Sequence, residues 1–207
     1  KPHEPTKHQY DFDAAAVYAF LQKNKLEKEI KLNLEVNHAT LALHSFEHEI
    51  AYAFANDIFG SIDINRGDLL VGWDTDQFPN SVQELLLPFY YIYKNGGLRS
   101  GGLNFDAKIR RQSIDPEDIF YAHIGAMDTC AKALVIVEKL INDGEYDDFL
   151  NNRYGKWKTS NAISKDQTFE SIHQEVLSKN INPQPVSGRQ EFLENLINKK
   201  IIEKSYF

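Results

Sequence analysis

A chain of 207 residues with a formal charge of −7 and 42% hydrophobic content is the size of one large domain, or of a domain with an extension, and can fill a core. The negative balance excludes general affinity for nucleic acid or an anionic membrane surface. The richest apolar run, "LLLPFYYIY", is far short of the ~20 residues that span a bilayer. The start, "KPHEPTKHQYDFD", has no apolar segment like that of a signal peptide. A single cysteine, Cys130, excludes an internal disulfide and fits a reducing compartment, so a cytoplasmic protein is expected.

In chain order, "DAAAVYAFLQKN" predicts a helix over residues 13–24 with Asp13 at its cap. Residues 30–36, "IKLNLEV", alternate apolar and polar and predict a strand. "SFEHEIAYAFANDIFG" predicts a helix with Ser45 at its start and acids in its first turn. "SIDIN" is a short strand candidate, and "SVQELLLPFYYIYKNGG" a helix opened by Ser81 with Glu84 three residues on. That helix should stop at Asn95-Gly96-Gly97 and kink at Pro88. "GGLNFD" is a third strand candidate. "DPEDIFYAHIGAMDTCAKALVIVEKLINDG" predicts a long helix with Asp115 and Pro116 at its start and Gly144 at its end.

Helices therefore alternate with strands, which implies parallel strands joined by helical crossovers. After Gly144 the pattern changes. "ISKDQTFESIHQEVLSK" and "GRQEFLENLINKKII" read as helices joined by "NINPQPVSG", with no strand pattern. The expected organisation is an α/β unit over 1–144 and an all-helical arm over 145–207.

The acids fall at particular places in this scheme. Glu35 ends the first strand, with His38 three residues later; Asp63 lies near the end of the second; Asp74 and Asp76 lie in the loop that follows; Asp106 ends the third. Sites in α/β sheets are built at the carboxyl ends of the strands. Carboxylates crowded there need counter-charge. Oxygen-rich donors with one imidazole and no thiolate suit Mg²⁺, Mn²⁺ or Co²⁺, and the number of acids suits two ions. A lone Asp-x-Asp also reads as a turn or a solvated pair, and a single acid at a strand end as structural.

Other motifs carry less. His44 and His48 have the i, i+4 spacing of a helical zinc pair, but Glu47 is misplaced for a zinc protease, and both read as surface or core histidines. "NGGLRSGG" lacks the ending of a phosphate loop and reads as turns. Cys130, His123 and Met127 read as packing residues.

Taken together, "KPHEPTKHQYDFD", "NLEVNHATLALHSFEHEI", "DINRGD", "GWDTDQFPNS", "GGLNFDAKIRRQS" and "FYAHIGAMDTCAKAL" resemble the carboxyl-terminal half of a xylose isomerase of the longer-chain class. "SGRQEFLENLIN" resembles that class's terminal helix, and the likeness runs over essentially the whole chain. The resemblance implies the second half of a TIM (β/α)8 barrel followed by a helical arm that clasps a neighbouring subunit, in a dimer or tetramer. It implies interconversion of D-xylose and D-xylulose, and of D-glucose and D-fructose, with two divalent cations. By motif, Glu35 matches the carboxylate bridging both metals, Asp63 and Asp106 ligands of one, and His38, Asp74 and Asp76 ligands of the other. Lys1 matches the lysine that hydrogen-bonds the sugar's carbonyl oxygen, so Lys1 and Asp76 are the catalytic candidates.

The first half of that barrel and the carboxylate preceding Lys1 lie outside the sequence. Low turnover by this chain alone is therefore expected, with the missing amino-terminal half as a candidate partner. The alternative is an inactive metal-binding fragment that associates through its open half barrel. A two-metal hydrolase on a related barrel fits the motifs less well. An open sheet is also expected to leave apolar surface of Leu32, Leu34, Val36, Ile62, Ile64, Leu103 and Phe105 in water.

Overall fold

The computed structural model of the chain describes residues 10–159 and 166–203, with side chains over 10–155 and 166–203. Two compact units divide the chain, Lys1–Val137 and Glu138–Phe207.

The first unit is built on three parallel strands in the order β1-β2-β5: β1 Leu32–Glu35, β2 Phe59–Asp63 and β5 Leu103–Asn104. Each crossover carries helix. Between β1 and β2 run α2 (Val36–Leu41) and α3 (Phe46–Ala55); between β2 and β5 lie a hairpin, β3 (Arg66–Asp68) with β4 (Trp73–Gln77), and then α4 (Val82–Lys94). Helix α1, Ala14–Asn24, precedes the sheet, and α5, Asp118–Asp143, follows it. The alternation read from the sequence is thus the alternation found.

Local chemistry explains the ends. Asp13 caps α1 by accepting the Ala16 N–H at 2.7 Å, which satisfies a donor the first turn leaves open. Ser81 Oγ accepts the Glu84 N–H at 3.4 Å at the start of α4, and Gly96 and Gly97 follow its end with φ of 92° and 77°. Helix α4 runs through Pro88, which is buried. Helix α5 starts at Asp118, three residues after the expected cap, because Asp115 to Asp118 close a turn of their own through the Asp118 N–H to Asp115 carbonyl bond of 3.0 Å.

Strand alternation decides what the sheet covers. Leu32, Leu34, Ile62 and Ile64 are buried, and α3 packs against β1, β2 and α4. Val36, at the start of α2, is buried too. Asn33 pairs in register with Ser61, and Glu35 with Asp63, so the opposite face carries polar residues. The apolar exposure expected of the sheet is therefore found only at its edge: Leu103 is 37% exposed and Phe105 half-buried. Unpartnered apolar surface lies elsewhere. The β3–β4 turn exposes Leu69, Leu70 and Val71, and the first half of α5 exposes Ile119, Phe120, Tyr121, Ile124 and Met127. Cys130 is buried as expected, but Met127 faces water. His123, though exposed, sets its ring edge-on to Phe78, 4.7 Å between centroids.

In the second unit the rest of α5 is followed by α6 (Glu145–Thr159), α7 (Phe169–Ser178) and α8 (Gln190–Ile202). No strand occurs among its described residues. Phe149 of α6 meets Phe192 of α8 at 6.0 Å, Arg153 donates to the Ser187 carbonyl at 2.6 Å, and the buried Lys200 pairs with Asp143. Thr168 and Ser171 form a reciprocal capping box on α7, yet α7 buries none of its residues. Helix α6 was not foreseen as a separate element: its sequence, rich in Asp, Asn, Lys and Arg, carries little apolar periodicity.

Candidate metal centre

Glu35 and Asp63 end neighbouring parallel strands and stand opposite each other in register. Asn104 pairs with Asp63 from β5, and Asp106 lies two residues beyond it with a φ of 40°. A left-handed backbone is unusual for a residue with a Cβ, and Asp is among the types that tolerate it. It turns the chain sharply just past the strand, where Asp106 comes close to Glu35 and Asp63. His38 sits in the first turns of α2, which starts directly after Glu35. Asp74 comes from the hairpin and is buried.

Two triads result, and they share one residue. Oxygen and nitrogen atoms of Glu35, His38 and Asp74 lie within 4.8 Å of one another, and so do atoms of Glu35, Asp63 and Asp106. His38 Nε2 is 3.1 Å from Glu35 Oε2 and 3.1 Å from Asp74 Oδ2.

Asparagines hold the acids in place, and this was not legible beforehand. Asn65, buried, donates to Glu35 Oε1 at 2.7 Å and to the Asp106 carbonyl at 3.2 Å, while its own oxygen accepts the Asn37 N–H at 3.0 Å. The Asn37 amide donates to Asp74. Asn33 and Asn104 donate to the two oxygens of Asp63, at 2.6 and 3.3 Å. Amides carry no net charge, so they orient these carboxylates without neutralising them. The only sequence signal was an Asn two residues from Glu35, Asp63 and Asp106, in "LNLEVNH", "DIN" and "LNFD"; Asp74 has none so close.

Asp76 is held differently. Its stretch, expected as loop, is strand β4, but the φ of Asp76 is 45°. Lys108 Nζ meets its carboxylate at 2.6 Å, and the Asp76 carbonyl accepts from the Lys108 N–H and from Arg110, both at 2.9 Å. Burial, with the neighbouring Asp74 carboxylate, pushes the Asp76 carboxyl above the usual range, against the pull of Lys108. Asp76 is not part of either triad. Lys1 lies outside the described residues.

Carboxylate oxygens around one imidazole, with no thiolate, make a donor set for a hard or borderline divalent cation. Two triads hinged on Glu35 have the form of a site for two such ions.

Comparison with known proteins identifies the lineage. Over 202 residues, 96% of this chain, the sequence is 56% identical to the xylose isomerase of Ruegeria sp. (strain TM1040), of which it covers 46%. The chain is similar to the carboxyl-terminal half of the xylose isomerases. Likeness to the xylose isomerases of Haemophilus influenzae (strain PittEE), 56% identical, and Agrobacterium fabrum, 54% identical, extends over 97% of this chain and 46% and 47% of theirs. Residues 150–201 match the XylA2 C-terminal domain. The chain thus spans just under half the length of the curated relatives it matches, and corresponds to the carboxyl-terminal half of a xylose isomerase. Among its described residues no helix is long and apolar enough to cross a membrane.

Proposed function

We propose that the chain provides the metal-holding half of an aldose–ketose isomerase site acting on D-xylose and D-glucose. The observation that carries this is Glu35, shared by two ligand triads at the carboxyl edge of a parallel sheet. In this reading Glu35, Asp63 and Asp106 hold one divalent cation; Glu35, His38, Asp74 and Asp76 hold a second. Mg²⁺, Mn²⁺ and Co²⁺ suit these donors. When bound, such ions stabilise negative charge building on the sugar's two oxygens as hydrogen moves between C2 and C1.

The protein's own residues do the positioning. Asn65 and Asn33 preset Glu35 and Asp63, so the ligands need little rearrangement to receive an ion. Asp76, fixed by Lys108 and Arg110 and beside Asp74, is the candidate group for moving a proton at a sugar hydroxyl. Lys1 is assigned to the sugar's carbonyl oxygen by motif alone.

The sheet fits half of a TIM barrel, with its polar face toward the barrel interior, and the second unit fits an arm for subunit association. On this reading the exposed apolar residues of α5 are covered in the assembly by another chain, in a dimer or tetramer. Positioning supplies up to ~7–11 kcal/mol of a catalysed barrier, so half a pocket turns sugar over poorly. A second reading, an inactive metal-binding fragment, rests on the same triads and differs only in turnover.

The test is D-xylose isomerisation by this chain, with and without the amino-terminal half of a relative, in excess Mn²⁺. Turnover that appears only on mixing supports the isomerase reading. Mn²⁺ binding without turnover in either case supports the inactive fragment, and absence of Mn²⁺ binding overturns both.

A further inference from the structure

We propose that His44, His48 and Glu49 form a separate site for a borderline transition cation of the Zn²⁺ type, at the junction of α1 and α3. His44 lies just before α3 and His48 in its first turn, and their rings stack at 4.7 Å between centroids, 23° apart. Each ring nitrogen that makes a bond makes it to a carboxylate: His44 Nε2 is 3.0 Å from Asp13 Oδ2, and His48 Nδ1 is 3.1 Å from Glu49 Oε1.

Both carboxylates are already fixed at their other oxygen by the amino end of α1. Asp13 Oδ1 accepts the Ala16 N–H at 2.7 Å, and Glu49 Oε2 accepts the Ala14 N–H at 2.7 Å. Each acid therefore offers one oriented oxygen toward an imidazole. Glu49 is only 4% exposed. A carboxylate so deeply buried beside an imidazole needs more compensation than the single backbone amide of Ala14 provides.

Ligand atoms of His44, His48 and Glu49 all lie within 4.8 Å of one another. Zinc bonds of ~2.0–2.1 Å place tetrahedral ligands roughly 3.3 Å apart. The remaining gap closes by turning the imidazoles, and the His48 side chain, 52% exposed, has room to turn. In such a site Asp13 keeps the role it has now, fixing the His44 ring from behind. Two carboxylates and a dication then balance in charge.

Two imidazoles and one carboxylate form a zinc donor set, whereas Mg²⁺ prefers oxygen alone and keeps its water. That chemistry separates this cluster from the strand-edge carboxylates. The two groups flank one cavity of about 260 Å³, with Asp13, Ala14 and Glu49 on its wall along with Glu35 and His38, but they share no residue. The spacing around Glu47 lacks the general base of a zinc protease, so the site is structural: a metal there ties the start of α1 to α3.

The experiment is a titration of the full chain with Zn²⁺ in a large excess of Mg²⁺, followed by calorimetry, with Co²⁺ absorption as a coordination readout. The Asp74→Asn/Asp76→Asn variant should keep a Zn²⁺-specific site, while His44→Gln/His48→Gln should lose at least tenfold in Zn²⁺ affinity and the intense visible bands of tetrahedral Co²⁺. Unchanged Zn²⁺ binding in His44→Gln/His48→Gln overturns the proposal, as does its complete loss in Asp74→Asn/Asp76→Asn. Should the histidine variant fail to fold, imidazole proton resonances of the unaltered chain decide. Zn²⁺ must shift His44 and His48 under excess Mg²⁺, and resonances that stay in place overturn the site.

Discussion

Glu35 and Asp63 are register partners across β1 and β2, each at the last position of its strand. In a parallel sheet such partners lie on the same face, so the two carboxylates are brought side by side by backbone pairing alone. Because Glu35 also belongs to the triad with His38 and Asp74, its removal should affect both ions. Glu35→Gln is expected to reduce Mn²⁺ stoichiometry from two to none at millimolar metal. Asp106→Asn and Asp74→Asn should each spare one ion. Electron paramagnetic resonance of free Mn²⁺ counts them. A Glu35→Gln protein that still binds two ions would rule out the shared ligand.

Asn65 is the residue on which the ligand geometry turns. It is 1% exposed and joins Glu35, the Asp106 carbonyl and the Asn37 N–H. Asn65→Ala strips a buried N–H and a buried carboxylate of a partner each. Leaving a buried polar group unsatisfied costs about 1–3 kcal/mol, so chemical denaturation should show a loss of that order or more. Added Mn²⁺ should recover part of it, since an ion bound to the native state stabilises by mass action. A loss that metal does not reduce would show that Asn65 does not position the metal ligands.

How far the sequence carried can be traced residue by residue. The capping positions Asp13 and Ser81, the three strands and the convergence of Glu35, Asp63 and Asp106 were readable, because caps and period-two alternation are local signals. The β3–β4 hairpin was not. Its strands are short, its turn carries Leu69, Leu70 and Val71 where turn formers are expected, and Asp76 breaks the extended pattern with a φ of 45°. The amide network escaped for another reason: Asn33, Asn37, Asn65 and Asn104 acquire roles only through pairing between strands, which no single segment encodes. Which face of the sheet is covered also depends on where α3 packs, a tertiary fact.

Gly101 sits where β2 and β5 approach. A Cβ there would collide with the Gly60 carbonyl, a backbone group, whereas one on Gly102 meets nothing within 4 Å. Only two register pairs join β2 to β5, so the strands have little pairing with which to resist being pushed apart. Gly101→Ala should therefore lower the melting temperature clearly, by an amount corresponding to roughly 1–3 kcal/mol of overpacking, and Gly102→Ala by much less. Equal effects in the two variants would mean the close approach is not maintained in solution.

Asp13 gives the α1 cap a definite pH dependence. Burial favours its neutral form, but the Ala16 N–H and His44 outweigh that and hold the carboxyl below the usual aspartate range. A carboxylate depressed in the native state adds stability above its unfolded pKa of about 3.9 and loses it as pH falls through the lower native value. Asp13→Ala should cost about 0.5–2 kcal/mol at neutral pH, and the difference from the parent protein should shrink steadily once the pH drops below about 3.9. A difference constant down to the lowest pH would show that the carboxylate's charge contributes nothing.

Cys130 should report on the opening of α5. Its side chain is 7% exposed, and burial pushes the thiol up to about 11. The nucleophile is the thiolate, so at neutral pH the native chain should react with a disulfide reagent at least a hundredfold more slowly than the chain in denaturant, where the pKa returns to about 8.5. The same shift has a consequence for stability. A native pKa raised above the unfolded one leaves stability intact below about 8.5 and erodes it as pH rises toward about 11, because the unfolded chain releases a proton that the folded chain retains. Cys130→Ala removes that alkaline term and should flatten the decline between the two values, at the expense of a small cavity at neutral pH. Prompt, complete modification of the native protein at neutral pH would show that the α5 face carrying Cys130 is open to water.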